Sequence, residues 1–183
     1  MSDSDRDDLA ETIITTKRVH EGRVLNLRVD EVQMPSGRRT TREVVEHHGA
    51  VAAVPLTADH EVLMVRQWRY AVGAATLEIP AGTLEPGETA EECIRRELVE
   101  EIGHRAGRIE PMVEFYVSPG YSNELIRLFL ATELTPESAE ADEDEELRVV
   151  VVPLAEALEM CRSGELRDGK TIAALLCAAD RLG

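Results

Sequence analysis

Four glutamates crowd one short stretch: Glu97, Glu100 and Glu101 lie within Arg96–Gly103, and Glu88 precedes Arg96 by eight residues. The spacing predicts a helix from Thr89 to Gly103. Thr89 and Glu92 have capping-box spacing, and Gly103 is a natural stop. Ala90, Ile94, Leu98 and Ile102, with Cys93 beside them, make one apolar face. At about 100° per residue, Glu101 falls about 20° from the centre of that face and Glu97 about 60°. A helix at a protein surface turns its carboxylates the other way. Glu97 and Glu101 are also a like-charge pair four residues apart, and Glu100 and Glu101 crowd the end where the helix dipole disfavours anions. Three local rules broken by the same residues point to function. A hard divalent cation, Mg²⁺ or Mn²⁺, is the simplest compensation, because carboxylate oxygens suit it. The plain alternative is a Glu-rich solvated face.

These side chains need elements to hold them. Pro86 and Gly87 make Gly82–Glu88 a loop in front of the helix. Before it, Arg23–Met34 alternates with a phase shift after Val29, which reads as a strand with a bulge, and Arg39–His47 reads as its return strand. Gly49–Leu56 is continuously apolar and predicts a buried central strand. Glu61–Arg69 and Thr76–Pro80 read as further strands. After the helix, Arg108–Val117 and Glu124–Thr132 read as two strands, Glu133–Glu146 as an acidic loop, and Leu147–Val152 as a strand. Helices are expected at Leu154–Arg162 and Asp168–Leu182. The order predicts mixed α/β architecture, with the Glu-rich helix on one side of a sheet and the last helix on the other.

Gly82, Glu88, Arg96, Glu97, Glu100, Glu101 and Gly103 stand at the spacing of the Nudix hydrolase signature, and the chain resembles that family. One position departs: His104 stands where the family has an aliphatic residue. The resemblance implies an α/β/α sandwich with a mixed sheet and an N-terminal β-hairpin extension. It also implies metal-dependent hydrolysis of a nucleoside diphosphate linked to another group. Glu97 and Glu101 would be ligands, with Glu100 a third ligand or their partner, and the Ala81 carbonyl is implied as a further ligand. Arg96 would orient carboxylates, and a structural role for it is equally open. Glu88 would orient rather than ligate.

A second segment is similar to that of the ADP-ribose pyrophosphatase subfamily: Ser118-Pro119-Gly120, then Ser122 and Glu124. Glu124 would accept hydrogen bonds from ribose hydroxyls. Gln67-Trp68-Arg69 is also similar, with Arg69 on phosphate. Arg42 and Glu43 resemble a pair that reaches the adenine side, often from the partner of a swapped dimer. In the acidic run Asp142–Glu146 the resemblance makes Glu143 the first choice of general base and Glu145 the second. Charge runs in loops are ordinarily solvated. Trp68 or Tyr70 would stack on a base or pack in the core. His47 and His48 point to opposite faces of a strand and read as structural.

The composition sets limits. With 183 residues and 43% hydrophobic content, one domain with a sizeable core is expected. The divisions are an acidic, disordered tail at 1–11, the β extension at 12–47 and a catalytic domain at 48–183. A net charge of −16 argues against nucleic acid or anionic membrane as a partner. No apolar run approaches the length of a membrane span, and the acidic start is unlike a signal peptide, so a cytoplasmic protein is expected. Cys93, Cys161 and Cys177 read as free thiols. The reading favoured is an ADP-ribose pyrophosphatase acting as a homodimer. Its alternatives are a hydrolase of another sugar nucleotide, such as GDP-mannose or ADP-glucose, and a binding module without catalysis.

Overall fold

The computed structural model describes residues 8–138 and 146–183. Of the expected tail, residues 1–7 lie outside them. Among the described residues ten strands and three α-helices follow one another in mixed order. The chain forms two compact units, 1–49 with 116–125, and 50–115 with 126–183.

The first unit contains an antiparallel sheet of three strands, β1 (Thr12–Glu21), β2 (Asn26–Gln33) and β3 (Arg39–Glu46), in that order. The expected hairpin is therefore two strands of a larger sheet, to which β1 adds beside β2. The bulge is also elsewhere. β2 and β3 pair without interruption from Asn26↔Glu46 to Gln33↔Arg39. The register shifts fall between β1 and β2, at Ile13/Thr15 and Arg18/His20. The extra residues belong to β1, so the phase change in β2 reflects which residues the sheet buries. Asp30 and Val32 are the buried ones.

The second unit carries the core. β4 (Ala50–Pro55) pairs antiparallel with β7 (Ala81–Thr83) and parallel with β9 (Leu125–Pro136). With β8 (His104–Tyr116) they form a mixed sheet in the order β7-β4-β9-β8. A second sheet has β5 (Glu61–Arg69) between β10 (Arg148–Pro153) and β6 (Ala74–Glu78). The helices are α1 (Ala90–Ile102), α2 (Leu154–Ser163) and α3 (Gly169–Leu182).

Side-chain alternation shows the layers. In β4, Ala52 and Val54 join one buried cluster with Ala174, Leu175 and Ala178 of α3. Val51 and Ala53 join another with Cys93, Ile94, Leu98 and Ile102 of α1. β5 divides in the same way, Val62 and Met64 from Leu63 and Val65. Strands buried on both faces between helices are the α/β/α arrangement expected, and this explains why β4 is apolar without alternation. Several boundaries differ: β8 begins at His104, before the expected Arg108, and β6 spans Ala74–Glu78 rather than Thr76–Pro80. Gly82 and Thr83, expected in the loop, pair with Val51 and Ala50 in β7. β9 continues to Pro136, into the expected acidic loop. No described helix is long and apolar enough to cross a membrane.

Candidate active site

α1 sets the geometry. Thr89 Oγ1 accepts from the Glu92 amide at 3.3 Å, and the Glu92 carboxylate accepts from the Thr89 amide at 2.9 Å, completing the capping box. Gly103 closes the helix in the left-handed region at φ 64°. With both ends fixed, the phase of the helix decides which side chains point inward. Glu101 is 8% exposed and lies among the buried residues Cys93, Ile94, Leu98 and Ile102. Its Oε2 accepts from the Ala81 amide at 3.0 Å.

Glu97 depends on the strand opposite. A β-carbon built on Gly82 would stand 1.8 Å from Glu97 Oε1 and 2.0 Å from its carboxyl carbon. Any other residue there would occupy the space that the carboxylate fills. That is the physical reason for a glycine at this point of the signature.

Arg96 ties the remaining carboxylates together. Its Nε and Nη2 donate to Glu88 at 3.1 and 3.2 Å, and its Nη1 donates to Glu97 at 2.7 Å and Glu100 at 2.8 Å. The hydrogen bonds from Arg96 hold the Glu88 carboxyl below its ordinary range. In return Glu88 first, and the charge of Glu97 after the opposing effect of burial, raise the arginine further. Burial, with Glu88 beside it, pushes the Cys93 thiol up to about 12, so it is not a nucleophile at neutral pH. All three cysteines are free.

The donor set is oxygen throughout and suits a hard cation. Among the described residues, no three His, Cys, Asp or Glu side chains converge closely enough to hold one metal ion. Arg96 Nη1 lies between Glu97 and Glu100 and supplies positive charge there. The oxygen donors of Glu97 and Glu101, and the space that Gly82 leaves to the Glu97 carboxylate, fit the residues to a divalent ion.

Arg69 is engaged where phosphate contact was expected. Its Nε and Nη2 donate to Glu78 at 2.8 and 2.7 Å. Glu78 is 2% exposed. Burial alone would raise its carboxyl, but the bonds from Arg69 and the charge and hydrogen bond of Lys170 outweigh this and hold it at about 2. Reading the chain alone missed Glu78. Its only local signal is a lone acid in the apolar run Leu77–Ile79. Trp68 and Tyr70, for which core packing was an alternative, are 63% and 93% exposed, which excludes that alternative.

The other expected substrate residues lie in the first unit. Two segments distant in sequence meet there: the Val45 amide donates to the Tyr121 carbonyl at 2.7 Å, and the His47 amide to Asn123 Oδ1 at 2.8 Å. This brings Glu124 within 4.0 Å of His47 Nδ1. That ring nitrogen accepts from the Gly49 amide at 3.1 Å, so His47 has a structural task. Ser118, Pro119 and Gly120 form a turn closed by the Tyr121 amide on the Ser118 carbonyl at 3.1 Å. Arg42 Nε donates to Glu11 at 3.0 Å. Glu43 pairs across from Val29 in the sheet. Glu143 and Glu145 lie outside the described residues.

Known proteins match this chain along most of its length. Residues 46–175 match the NUDIX domain, and residues 11–45 the nucleoside diphosphate sugar hydrolase N-terminal domain. The ADP-ribose pyrophosphatase of Bacillus subtilis (strain 168) is 40% identical over 91% of each chain. A GDP-mannose pyrophosphatase of Salmonella paratyphi B is 40% identical over 73% of this chain and 75% of its own. The crystal structure of an ADP compounds hydrolase superposes with a TM-score of 0.84 at 26% identity, covering 94% of both chains. The chain belongs to the Nudix hydrolases, and carries at its start the N-terminal domain of the nucleoside diphosphate sugar hydrolases.

Proposed function

We propose that the protein hydrolyses ADP-ribose to AMP and ribose 5-phosphate with the help of Mg²⁺ or Mn²⁺. The observation that carries this is Glu101, a carboxylate buried at the C-terminal end of α1 with Glu97 one turn away. Glu97, Glu101 and the Ala81 carbonyl would hold the ion, with Glu100, which accepts from Arg96, as a third ligand or their partner. Bound there, it would offset the charge of the diphosphate and acidify a water molecule. Arg96 keeps Glu97 and Glu100 oriented by charge-assisted hydrogen bonds. Glu143, with Glu145 as second choice, takes the proton as water oxygen joins phosphorus and the bridging P–O bond breaks. Arg69 faces a phosphate with Nη1, which it does not spend on Glu78. Ser118, Gly120 and Glu124 serve the ribose side, and Arg42 and Glu43 the adenine side.

The identity to the B. subtilis enzyme over nearly the whole chain supports ADP-ribose. The similarity to a GDP-mannose pyrophosphatase favours a second reading, hydrolysis of another sugar nucleotide. We assign the working form as a homodimer and its setting as the cytoplasm, whose reducing conditions suit three free thiols.

Purified protein with Mg²⁺ should release AMP and ribose 5-phosphate from ADP-ribose, beside a panel with GDP-mannose and ADP-glucose. Rapid turnover of another nucleotide and none of ADP-ribose refutes the substrate. Glu101→Gln should lower kcat by about 10³-fold or more with the circular dichroism spectrum unchanged. Nucleotide binding without turnover in the parent protein would instead mean a binding module.

A further inference from the structure

A second polar network lies in the same unit as the carboxylate cluster, and its partners come from far along the chain. Glu78, at the end of β6, receives Arg69, Thr76 Oγ1 at 2.5 Å, and Lys170 Nζ. Lys170 also donates to Asp168 at 2.9 Å. Asp168 caps α3, accepting from the Thr171 amide at 3.0 Å and from its hydroxyl at 2.5 Å. Thr171 is fully buried, and its Oγ1 accepts from the Ile79 amide at 2.9 Å.

Ile79 and Pro80 lie between β6 and β7, outside either strand. Two hydrogen bonds fix them: the Ala53 amide on the Pro80 carbonyl at 3.1 Å, and Ile79 on Thr171. The next residue is Ala81, whose amide holds Glu101, and after it comes Gly82 beneath Glu97. A small displacement of Ile79 is thus passed directly to both inward carboxylates.

We propose that the first turn of α3 is a positioning device for the active site. Thr171 fixes the height of the Ile79–Ala81 backbone, and Lys170 shares the charge of Glu78 so that Arg69 is not consumed in neutralising it. This rests on the roles proposed above for Ala81 and Arg69. Neither Lys170 nor Thr171 is a catalytic residue.

The two residues predict separable effects. Thr171→Val should weaken Mn²⁺ binding to the full-length protein about tenfold, read by electron paramagnetic resonance of free Mn²⁺. It should lower kcat similarly and leave KM nearly unchanged, and Thr171→Ser should restore both. Lys170→Met should raise KM for ADP-ribose about tenfold with Mn²⁺ binding unchanged, and Lys170→Arg should restore KM. If both variants merely melt earlier, with parental KM, kcat and Mn²⁺ affinity in the folded protein, the proposal is overturned. Should Thr171→Val prove unfolded, Thr171→Ala, which loses the same acceptor with less crowding, is read in the same way. If the parent turns over no ADP-ribose but Thr171→Val still weakens Mn²⁺ binding, the substrate assignment fails and the positioning of Ala81 stands.

Discussion

Gly82→Ala separates packing from chemistry at the scale of one atom. The new β-carbon would stand 1.8 Å from Glu97 Oε1, closer than any real contact, so the carboxylate must move. The strand behind it is paired to β4 and cannot yield as easily. We expect kcat to fall at least tenfold with a modest loss of stability, checked by steady-state kinetics and thermal denaturation on one preparation. Glu78 makes a different prediction. Ionising at about 2 in the folded protein against an ordinary 4.5, it favours folding while the unfolded carboxyl is also ionised, above about pH 5. That contribution, on the order of 3 kcal/mol, is lost as pH falls through 4.5 toward 2. The stability gap between parent and Glu78→Gln in urea titrations should therefore close over that interval; a gap constant from pH 6 to pH 2.5 would contradict it. The two glutamates were not equally legible. Glu101 shows itself in sequence because helical phase is local, and four apolar neighbours define the face it violates. Glu78 takes its meaning from Arg69 across a strand pair and from Lys170, which is 92 residues away. No pattern in a window of the chain encodes such a contact.

α1 was legible as an element because both of its ends are written in side chains, Thr89 with Glu92 at one and Gly103 at the other. β4 was legible because burial on two faces leaves no polar alternation. β1 was not: every residue of it is exposed, so neither face carries a hydrophobic signal, and only pairing with β2 makes it a strand. β7 was hidden for another reason. Its three residues include Gly82, which reads as loop until β4 is seen beside it. The cap itself can be tested apart from the chemistry. Thr89→Ala removes the hydroxyl that accepts from the Glu92 amide and should cost about 1 kcal/mol in denaturant unfolding. Because Gly103 and the buried face still hold the phase of α1, kcat should stay within about twofold. A large loss of kcat with little loss of stability would mean that the first turn bears on the site directly.

At the scale of the molecule, charge and apolar exposure pull in different directions. A net charge of −16 keeps copies apart, yet Leu9, Ile13, Val19, Val24 and Leu25 are all exposed in and beside the N-terminal sheet. Leu9, Ile13 and Val19 precede or lie on β1, which among the described residues is paired on one side only. A sheet edge and an apolar surface that are both uncovered are costly in water and invite a partner. A second copy of the chain is the partner proposed. The parent protein should then behave as a dimer of about twice the 20.2 kDa chain mass in light scattering at micromolar concentration. Ile13→Asp combined with Val19→Asp should shift it toward monomer, because each introduces a charge into the contact, where desolvation costs several kcal/mol. Raised salt should favour the parent dimer by screening the acidic surfaces, without rescuing the double variant. A parent protein monomeric at 100 micromolar, or a double variant as dimeric as the parent, would place the contact elsewhere or remove it. Activity assayed on the same samples then tells whether assembly matters to catalysis. If Arg42 and Glu43 act on the partner's substrate, the monomeric variant should bind ADP-ribose more weakly, while its Mn²⁺ affinity, set within α1 and β7, stays that of the parent.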